Sequence, residues 1–512
     1  MGRLALIMAL VGAAVSVAQG QMADKCGFGQ HRLRLLTGAP ARPAVRPLMD
    51  TFYETADGAF SIHYDTTGLR QPDLTSTRLA GVPDWVLDVG LAFSLARDTL
   101  LAWGYRPHLD DGDGRYDVYL LEYGGSVYGE TFPEVAQGDG RWTSYIQMDN
   151  DFAEDENYFS HDLGGAQVTA AHEYFHAVQL AYNFRGEDFY LFEFSSTWFE
   201  ERIFPEVNDW TFWMESWSEN VSQRFSESDG YSTAFFGHYL AGQYGPEVIK
   251  ALWEHLLNAT GLTAVTRAIT DSGGDLAEAW SQSVAGLLLN GRYPAGYYHP
   301  DQALLPRPQL PEATDLSGSR ALTLANLAPD KVVWLPLGLA GPATLSLAVQ
   351  SGPSAYSAMV FTEQDGFSLD DLSAIPWVRG GLNQFSEIVI AAAGNPGDLI
   401  IAATATDSLV RLPFALNTVG PNPYRASAAG AGILTIRYQI GAALPEALHR
   451  ITIYNLLGQT RYREVFRQSV GVGSYRRSIP LPQASRWPAG IYLLSLEIAG
   501  KYTLSRPFTI LR

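Results

Sequence analysis

The segment HEYFH, from His172 to His176, carries residue types at the spacing of a metal site. Side chains four residues apart on a helix point the same way, so the two imidazoles can bind one ion. Glu173 lies one position further round, where it can activate a water molecule without being a ligand. The spacing therefore predicts a hydrolytic zinc site. The alternative is a buried amphipathic helix whose two histidines are simply hydrogen-bonded.

The residues around this motif favour a helix that would position it. The stretch AQVTAAHEYFHAVQLAY contains no proline, and no glycine follows Gly165. Residues such as Val168, Phe175 and Val178 supply apolar positions for packing. We therefore expect the motif to lie within a helix that packs in a core.

A hydrolytic zinc site needs a third protein ligand and one open position. The following segment, FYLFEFSSTWFEERIF, offers Glu193, Glu200 and Glu201. Glu193 and Glu200 are seven residues apart and share one helix face, so one can bind zinc while the other hydrogen-bonds to a ligand. Glu201 is expected to face solvent.

The pattern HExxH followed by a helix of the form W/F-x-x-E-G-x-A-x-x-x-E resembles the zincins whose third ligand is glutamate. That resemblance implies that Glu193 binds the metal and Glu200 supports the site. Phe194 and Ser196 replace the usual Gly and Ala, which leaves Glu200 as an alternative ligand. The region from about Lys25 to His255 also resembles a family of secreted bacterial metalloproteases, through FSIHYDTTG, GVPDWVLDV, GRYDVYLLEYGG, AAHEYFHAVQLAYN, FSSTWFEERIFPEVNDW and FFGHYLAGQYG.

Peptide hydrolysis also needs a donor for the oxyanion of the tetrahedral intermediate. The segment DGYSTAFFGHYLAGQYG carries Tyr231 and His238, seven residues apart on one helix face. Glutamate zincins of the aminopeptidase type have a tyrosine at the start of a comparable helix. The resemblance therefore favours Tyr231, with His238 second, and aromatic core packing is the alternative for both.

A second metal site is suggested by LDDGDGRYDVYLL. Its carboxylates are Asp110, Asp111, Asp113 and Asp117. Clustered carboxylates repel one another unless they share a hard cation, which is the logic of a calcium loop. The spacing is not that of an EF-hand, and a solvated acidic turn is the alternative.

Composition limits the partners of the chain. Its net charge of −19 and the lack of a basic cluster argue against nucleic acid as a partner. Cys26 is the one cysteine, so no disulfide can form within the chain. A lone thiol can cap zinc in a latent enzyme, but we expect Cys26 to be an ordinary residue of the N-terminal segment.

Both ends of the chain resemble export signals. Residues 1–20 have a basic start, an apolar run and small residues before Gln21, as in a secretory signal peptide, and no later stretch predicts a transmembrane anchor. Residues 420–512 carry PNPY, ITIYNLLGQ and WPAGIYLLSLEIAGKY. In that order these pieces resemble the type A sorting domain of the bacterial type IX secretion system. The resemblance implies a β-sandwich read by the secretion machinery, and a carbohydrate-binding or adhesive module is the alternative.

At 512 residues the chain has room for about three domains. We predict an α+β zincin-like catalytic domain over 21–303, a proline-containing linker over 304–319 and a β-sandwich over 320–418. The sorting domain over 420–512 would be a second all-β unit.

Together these features predict a zinc-dependent endopeptidase that is secreted or displayed at the cell surface and acts on protein or peptide substrates. Glu173 would be the general base for a zinc-activated water. The competing hypothesis is a surface binding or adhesion protein that keeps a peptidase-like fold without turnover.

Overall fold

The chain mixes helices and strands over its first part and is rich in β-strands after residue 314, as a computed structural model shows. This confirms the predicted order of an α+β unit followed by all-β units. The structure describes residues 24–31, 45–289, 304–363, 367–372, 377–383, 386–406, 414–425, 432–441, 444–470, 473–481 and 484–511. The predicted signal peptide lies outside the described residues.

The first unit is built on a mixed six-stranded sheet. Its strands are β1 (Asp24–Cys26), β2 (Thr51–Glu54), β3 (Phe60–Tyr64), β4 (Tyr116–Leu121), β5 (Val127–Ala136) and β6 (Trp142–Asp149). They lie in the order β1-β5-β6-β4-β3-β2. The pairs β3–β4, β4–β6 and β1–β5 are parallel, whereas β2–β3 and β5–β6 are antiparallel. The short strand β1 therefore forms one edge of the sheet.

Helices pack against this sheet and against one another. They are α1 (Asp84–Ala102), α2 (Asp162–Gln179), α3 (Phe189–Ile203), α4 (Trp210–Trp213), α5 (Glu215–Glu219), α6 (Ala234–Tyr244), α7 (Glu247–His255), α8 (Gly261–Asp271) and α9 (Leu276–Leu289). Helix α2 contacts α1, α3, β5 and β6. Strand β4 is buried over nearly its whole length, as a central parallel strand covered on both faces should be.

The second unit contains β7 (Thr314–Leu316), β8 (Gly318–Leu327), β9 (Val333–Leu339), β10 (Ala343–Ser351), β11 (Tyr356–Glu363), β12 (Phe367–Asp371), β13 (Trp377–Leu382), β14 (Glu387–Gly394) and β15 (Gly397–Thr406). One sheet has the order β12-β11-β14-β9-β7, and β13-β10-β15-β8 lie in the other. Leucine, valine and isoleucine side chains from both sheets form a core of their own. Strand β7 lies within the predicted linker 304–319. Because its backbone pairs with β9, this part of the linker belongs to the second unit.

The third unit contains β16 (Ala415–Gly420), β17 (Tyr424–Arg425), β18 (Gly432–Ile440), β19 (Leu444–Asn455), β20 (Thr460–Val470), β21 (Gly473–Leu481), β22 (Gly490–Ile498) and β23 (Tyr502–Leu511). Five of them form a sheet in the order β17-β23-β22-β19-β20. Strands β16, β18 and β21 lie across a second apolar core from it. Strand β16 begins before the predicted boundary at residue 420, and its Leu416 and Val419 belong to this core.

The second and third units meet through their sheets. Strand β21 extends the sheet of the second unit by pairing with β13, and the register is a single residue pair, Arg379 with Gly473. The third unit also faces the first across a cleft of about 630 Å³, lined by residues that include Tyr244, Thr418 and Tyr424. Among the described helices, none is long and apolar enough to cross a membrane.

Candidate metal centre

Helix α2 carries the HEYFH motif into the interior of the first unit. All its residues from Gly165 onward are buried except Gln167, so the helix has little contact with solvent on any face. It packs closely on β5 at Gly129, where an added Cβ would meet Thr169 Cγ2 at 2.9 Å and Glu173 Cγ at 3.2 Å. The missing side chain at Gly129 therefore lets the strand approach the motif directly.

The two histidines of the motif converge on one carboxylate from helix α3. His172 Nε2 lies 3.1 Å from Glu193 Oε2, and His176 Nε2 lies 3.3 Å from the same oxygen. His172, His176 and Glu193 are each at most 1% exposed. The two helices thus bring together the three residues that the sequence singles out as ligands.

The outer nitrogens of both imidazoles have hydrogen-bond acceptors. His172 Nδ1 lies 2.6 Å from Glu200 Oε1, and His176 Nδ1 lies 2.7 Å from Gln179 Oε1. When each Nδ1 donates outward, each Nε2 can present its lone pair to a metal ion that Glu193 also binds. Glu200 therefore supports His172 from the side opposite Glu193. Gln179 is a supporting residue that the sequence analysis missed, although it lies three residues after His176.

Charge in the cluster is shared between imidazole and carboxylate. Burial alone would lower the pKa of His172, but hydrogen bonds to Glu193 and Glu200 raise it above its usual value. Burial acts to raise the pKa of Glu193, and the neighbouring histidines more than offset this and lower it. A metal ion that binds here must displace protons, so acid should weaken metal binding.

Glu173 lies beside these residues without joining them. Its Oε2 accepts a hydrogen bond from Thr131 Oγ1 at 2.7 Å, and the same hydroxyl contacts its backbone oxygen at 2.9 Å. Thr131 lies on β5, so the strand fixes the direction of the carboxylate. This contact was not foreseen, because nothing in the local sequence links Thr131 to the motif 42 residues later.

Tyr231 lies at the cluster, whereas His238 is not among the residues that the cluster brings together. The Tyr231 ring stacks near His172 with centroids 5.9 Å apart, and its hydroxyl interacts with Glu193. Burial, followed by nearby Glu193, raises the pKa of Tyr231, so the phenol stays protonated. Gly230 (φ +94°) permits this approach, because an added Cβ would meet Glu193 Cβ at 2.6 Å. His238 instead packs its ring against Trp210, 4.5 Å away.

Glu201 does not face solvent, contrary to the prediction. It is 5% exposed, and α3 is buried around nearly its whole circumference by the surrounding helices. A helix that is covered on all sides leaves no solvent face for the residue next to Glu200.

Cys26 is a ligand candidate and not an ordinary terminal residue. It is buried at the end of β1, where it pairs with Gly129 of β5. Its Sγ and one ligand atom from each of His172, His176 and Glu193 all lie within 4.8 Å of one another. Burial, then the charges of Glu173 and Glu193, raise the pKa of its thiol.

Lys25, the residue before Cys26, contacts the cluster through Glu200, the carboxylate that supports His172. Lys25 Nζ lies 2.7 Å from Glu200 Oε2 and also pairs with Asp209, and both carboxylates are buried. Burial alone would lower the pKa of Lys25, but Asp209 and Glu200 together raise it and keep the ammonium charged. Neither Lys25 nor Asp209 was foreseen, because their spacing along the chain carries no signal.

The residues present suit a bound metal ion. Two imidazoles, a carboxylate and a thiol are the donor types of tetrahedral zinc sites. His176 Nε2 is buried and, among the described residues, has no hydrogen-bond partner although it lies near Glu193. Such an atom is costly in the interior unless it meets a donor or a cation. The group therefore could hold a metal, whose identity the donors alone do not fix.

The predicted calcium loop is only partly assembled. Oxygens of Asp110, Asp111 and Asp113 lie within 4.8 Å of one another at the surface, but Asp117 is not among them. Asp117 is instead bound to Arg46 and lies 2.7 Å from His63 Nε2, and Asp111 also pairs with Arg46. Arg46 therefore neutralises part of the negative charge that the sequence led us to expect a calcium ion to neutralise.

A further acidic group, which was not predicted, gathers Glu122, Asp149 and Glu156. Burial and then the charge of Asp149 raise the pKa of Glu156 to about 8.

Comparison with known proteins identifies no relative. No protein-family model and no curated protein matches the chain. A β-glucuronidase of Parabacteroides merdae is 10% identical, with a TM-score of 0.15, and the match covers 35% of this chain and 28% of the enzyme. The CARDB domain of a Pyrococcus furiosus protein in complex with di-metal ions is 10% identical, with a TM-score of 0.14, over 21% of this chain and 100% of the domain. Likenesses this distant support no assignment of fold or activity.

Proposed function

We propose that this protein is a zinc-dependent peptidase with a zincin-like catalytic unit. The observation that carries the proposal is the convergence of His172 Nε2 and His176 Nε2 on one oxygen of Glu193, at 3.1 and 3.3 Å. Both outer nitrogens have acceptors, which is the arrangement that prepares imidazoles as metal ligands. His172, His176 and Glu193 would hold the zinc, with Glu200 as the support of His172.

Zinc at this position would act as a Lewis acid that activates water and polarises the substrate carbonyl. Glu173 is the general base, since its carboxylate lies next to the cluster and is aimed by Thr131. It takes a proton from the attacking water and passes it to the leaving amine. The protonated hydroxyl of Tyr231 is the donor for the developing oxyanion, because it lies against His172 and Glu193.

The test separates metal binding from catalysis. The purified protein should contain about one zinc per chain and show at least a low hydrolysis of a general protein substrate. Glu173→Gln should keep the zinc and lose proteolysis, because it removes the base without removing a ligand. Glu187→Gln, at an exposed position, is the matched control and should keep both. A protein that binds no zinc when purified in its presence contradicts the proposal.

One observation favours the alternative of a non-catalytic protein. His172, Glu173, His176 and Glu193 are all at most 1% exposed, so no substrate can reach them in this conformation. A purely structural metal site would be closed in this way. If zinc is present and no variant or treatment releases hydrolysis that depends on Glu173, the structural role is correct.

The third unit is proposed to be the type IX sorting domain. The residues of its characteristic segments support its core: Tyr424 of PNPY is buried, and Trp487 and Tyr492 of WPAGIY pack together with centroids 5.4 Å apart. Asn455 shapes the hairpin of ITIYNLLGQ by accepting bonds from the backbone of Leu457 and Gln459. Export of the chain to the surface or medium should therefore depend on this unit. Its removal should leave the protein in the periplasm, which fractionation would detect.

A further inference from the structure

We propose that residues 24–31 are a built-in inhibitor of the metal centre, in which Cys26 supplies its sulfur as the fourth metal ligand. The inference rests on the proposed zinc site and names how that site is regulated. It makes the described conformation the latent form of the enzyme.

The position of the sulfur is the first argument. Cys26 Sγ gathers with ligand atoms of His172, His176 and Glu193 within 4.8 Å, from a segment about 150 residues away in sequence. A buried cysteine alone would not define a site. Here His176 Nε2, itself buried and without a hydrogen-bond partner among the described residues, points to the same shared ion.

Several residues of the segment are fixed to the first unit. Gly27 N donates to Gly129 O at 2.8 Å, which continues the pairing of β1 with β5. The Phe28 ring is fully buried and stacks on His176 with centroids 4.4 Å apart. His31 Nε2 lies 2.9 Å from Glu130 Oε1. These contacts hold Cys26 against the cluster from both sides.

Lys25 ties the segment to the support of the centre. Its ammonium binds Glu200, whose other oxygen holds His172 Nδ1. The inhibitor and the metal ligand therefore share one carboxylate. A buried ammonium is stable only with its partners. The segment is therefore either bound with Lys25 in its ion pairs or displaced from the centre together with Lys25.

The consequence is a closed coordination sphere. A catalytic zinc keeps three protein ligands and one open position, whereas four protein ligands are typical of structural sites. Cys26 fills the open position, and Phe28 covers the adjacent imidazole. Displacement of residues 24–31 would free the fourth position and expose the centre, so it is the activating step.

Cobalt(II) in place of zinc tests the sulfur ligand directly. Cys26 is the chain's single cysteine, so a thiolate-to-cobalt charge-transfer band in the near ultraviolet can arise only from it. The full-length wild-type protein should show this band. Cys26→Ser should lose it and still bind cobalt with the visible bands of a low-coordinate site.

Activity tests the inhibitory half of the proposal. Proteolysis should rise severalfold in Cys26→Ser and further in Cys26→Ser/Phe28→Ala, and Glu173→Gln in either background should abolish it. Circular dichroism establishes that each variant is folded.

The outcomes separate the two proposals. Cobalt binding that depends on His172 but lacks the near-ultraviolet band overturns the sulfur ligand and leaves the proposed function intact. An intact band with no gain of proteolysis in the folded double variant overturns the inhibitory role. Absence of cobalt binding that depends on His172 overturns the metal centre and both proposals.

Discussion

Replacement of Lys25 by methionine should release the N-terminal segment from the first unit. Methionine keeps most of the apolar stem and removes the ammonium. The change leaves Glu200 and Asp209 buried without their cation. Loss of one partner from a buried ion pair costs about 3–5 kcal/mol.

The structure favours the lower end of that range. Asp209 keeps two donors, Trp213 Nε1 at 2.9 Å and Tyr128 Oη at 3.1 Å, and Glu200 keeps His172 Nδ1 at 2.6 Å. We therefore expect a loss of about 3 kcal/mol. The protein can relax by releasing residues 24–31 alone, so the effect appears first as local opening.

Hydrogen exchange measured by mass spectrometry is the suitable assay, because a chain of several units does not unfold in one step. The amide of Gly27, bonded to Gly129 O, should exchange about a hundredfold faster, since every 1.4 kcal/mol is a factor of ten. Lys250→Met is the control, because Lys250 lies 3.4 Å from Glu254 on a partly exposed helix face, where such a pair contributes about 0.3–0.5 kcal/mol. Equal exchange at Gly27 in the two variants refutes the reasoning.

Three further predictions concern the first unit. Glu193→Ala should lose bound zinc far more than Glu200→Ala, as measured by elemental analysis, and the reverse order would exchange their roles. Burial lowers the pKa of His108 to about 4 from 6.5, so its neutral form stabilises the fold above pH 6.5 and this contribution is lost as the pH falls toward 4. In His108→Gln, the free energy of unfolding should fall by up to about 3 kcal/mol less than in wild type as the pH drops from 6.5 toward 4, as measured by urea titrations. The same pH dependence in both proteins would contradict the lowered pKa of His108. Gly230→Ala should destabilise the unit by about 1–3 kcal/mol more than Gly138→Ala. Both glycines have a positive φ, but only Gly230 lacks room for a Cβ. Equal urea midpoints of unfolding for the two variants would argue against the clash.

Local periodicity accounts for the parts of the centre that the sequence predicts. The four-residue spacing of HEYFH and the seven-residue spacing of Glu193 and Glu200 are properties of single helices, and helix geometry carries them into the structure. What periodicity does not give is how the two helices face each other. It therefore does not indicate which of the two carboxylates meets both imidazoles, and in the structure Glu193 does so.

Apart from that of Gln179 with His176, the contacts that sequence reasoning missed join distant segments. Cys26 and Lys25 reach the centre through pairing of β1 with β5, and no pattern near either residue encodes that register. Arg46 offsets Asp117 across 71 residues, which removes the charge repulsion that suggested calcium there. PNPY predicts the start of the third unit near residue 420, and no local pattern indicates that Leu416, before this motif, also packs in its core.

The joint between the second and third units is slight in comparison with the cores that it connects. One residue pair, Arg379 with Gly473, continues the shared sheet, and the Arg379 guanidinium lies over the Tyr475 ring 4.0 Å from its centroid. The apolar cores on either side have no residue in common. Cutting the chain between them should therefore leave both apolar cores intact. On the proposal that the third unit is a sorting domain, it could be cut away after export without opening the apolar core of the second unit.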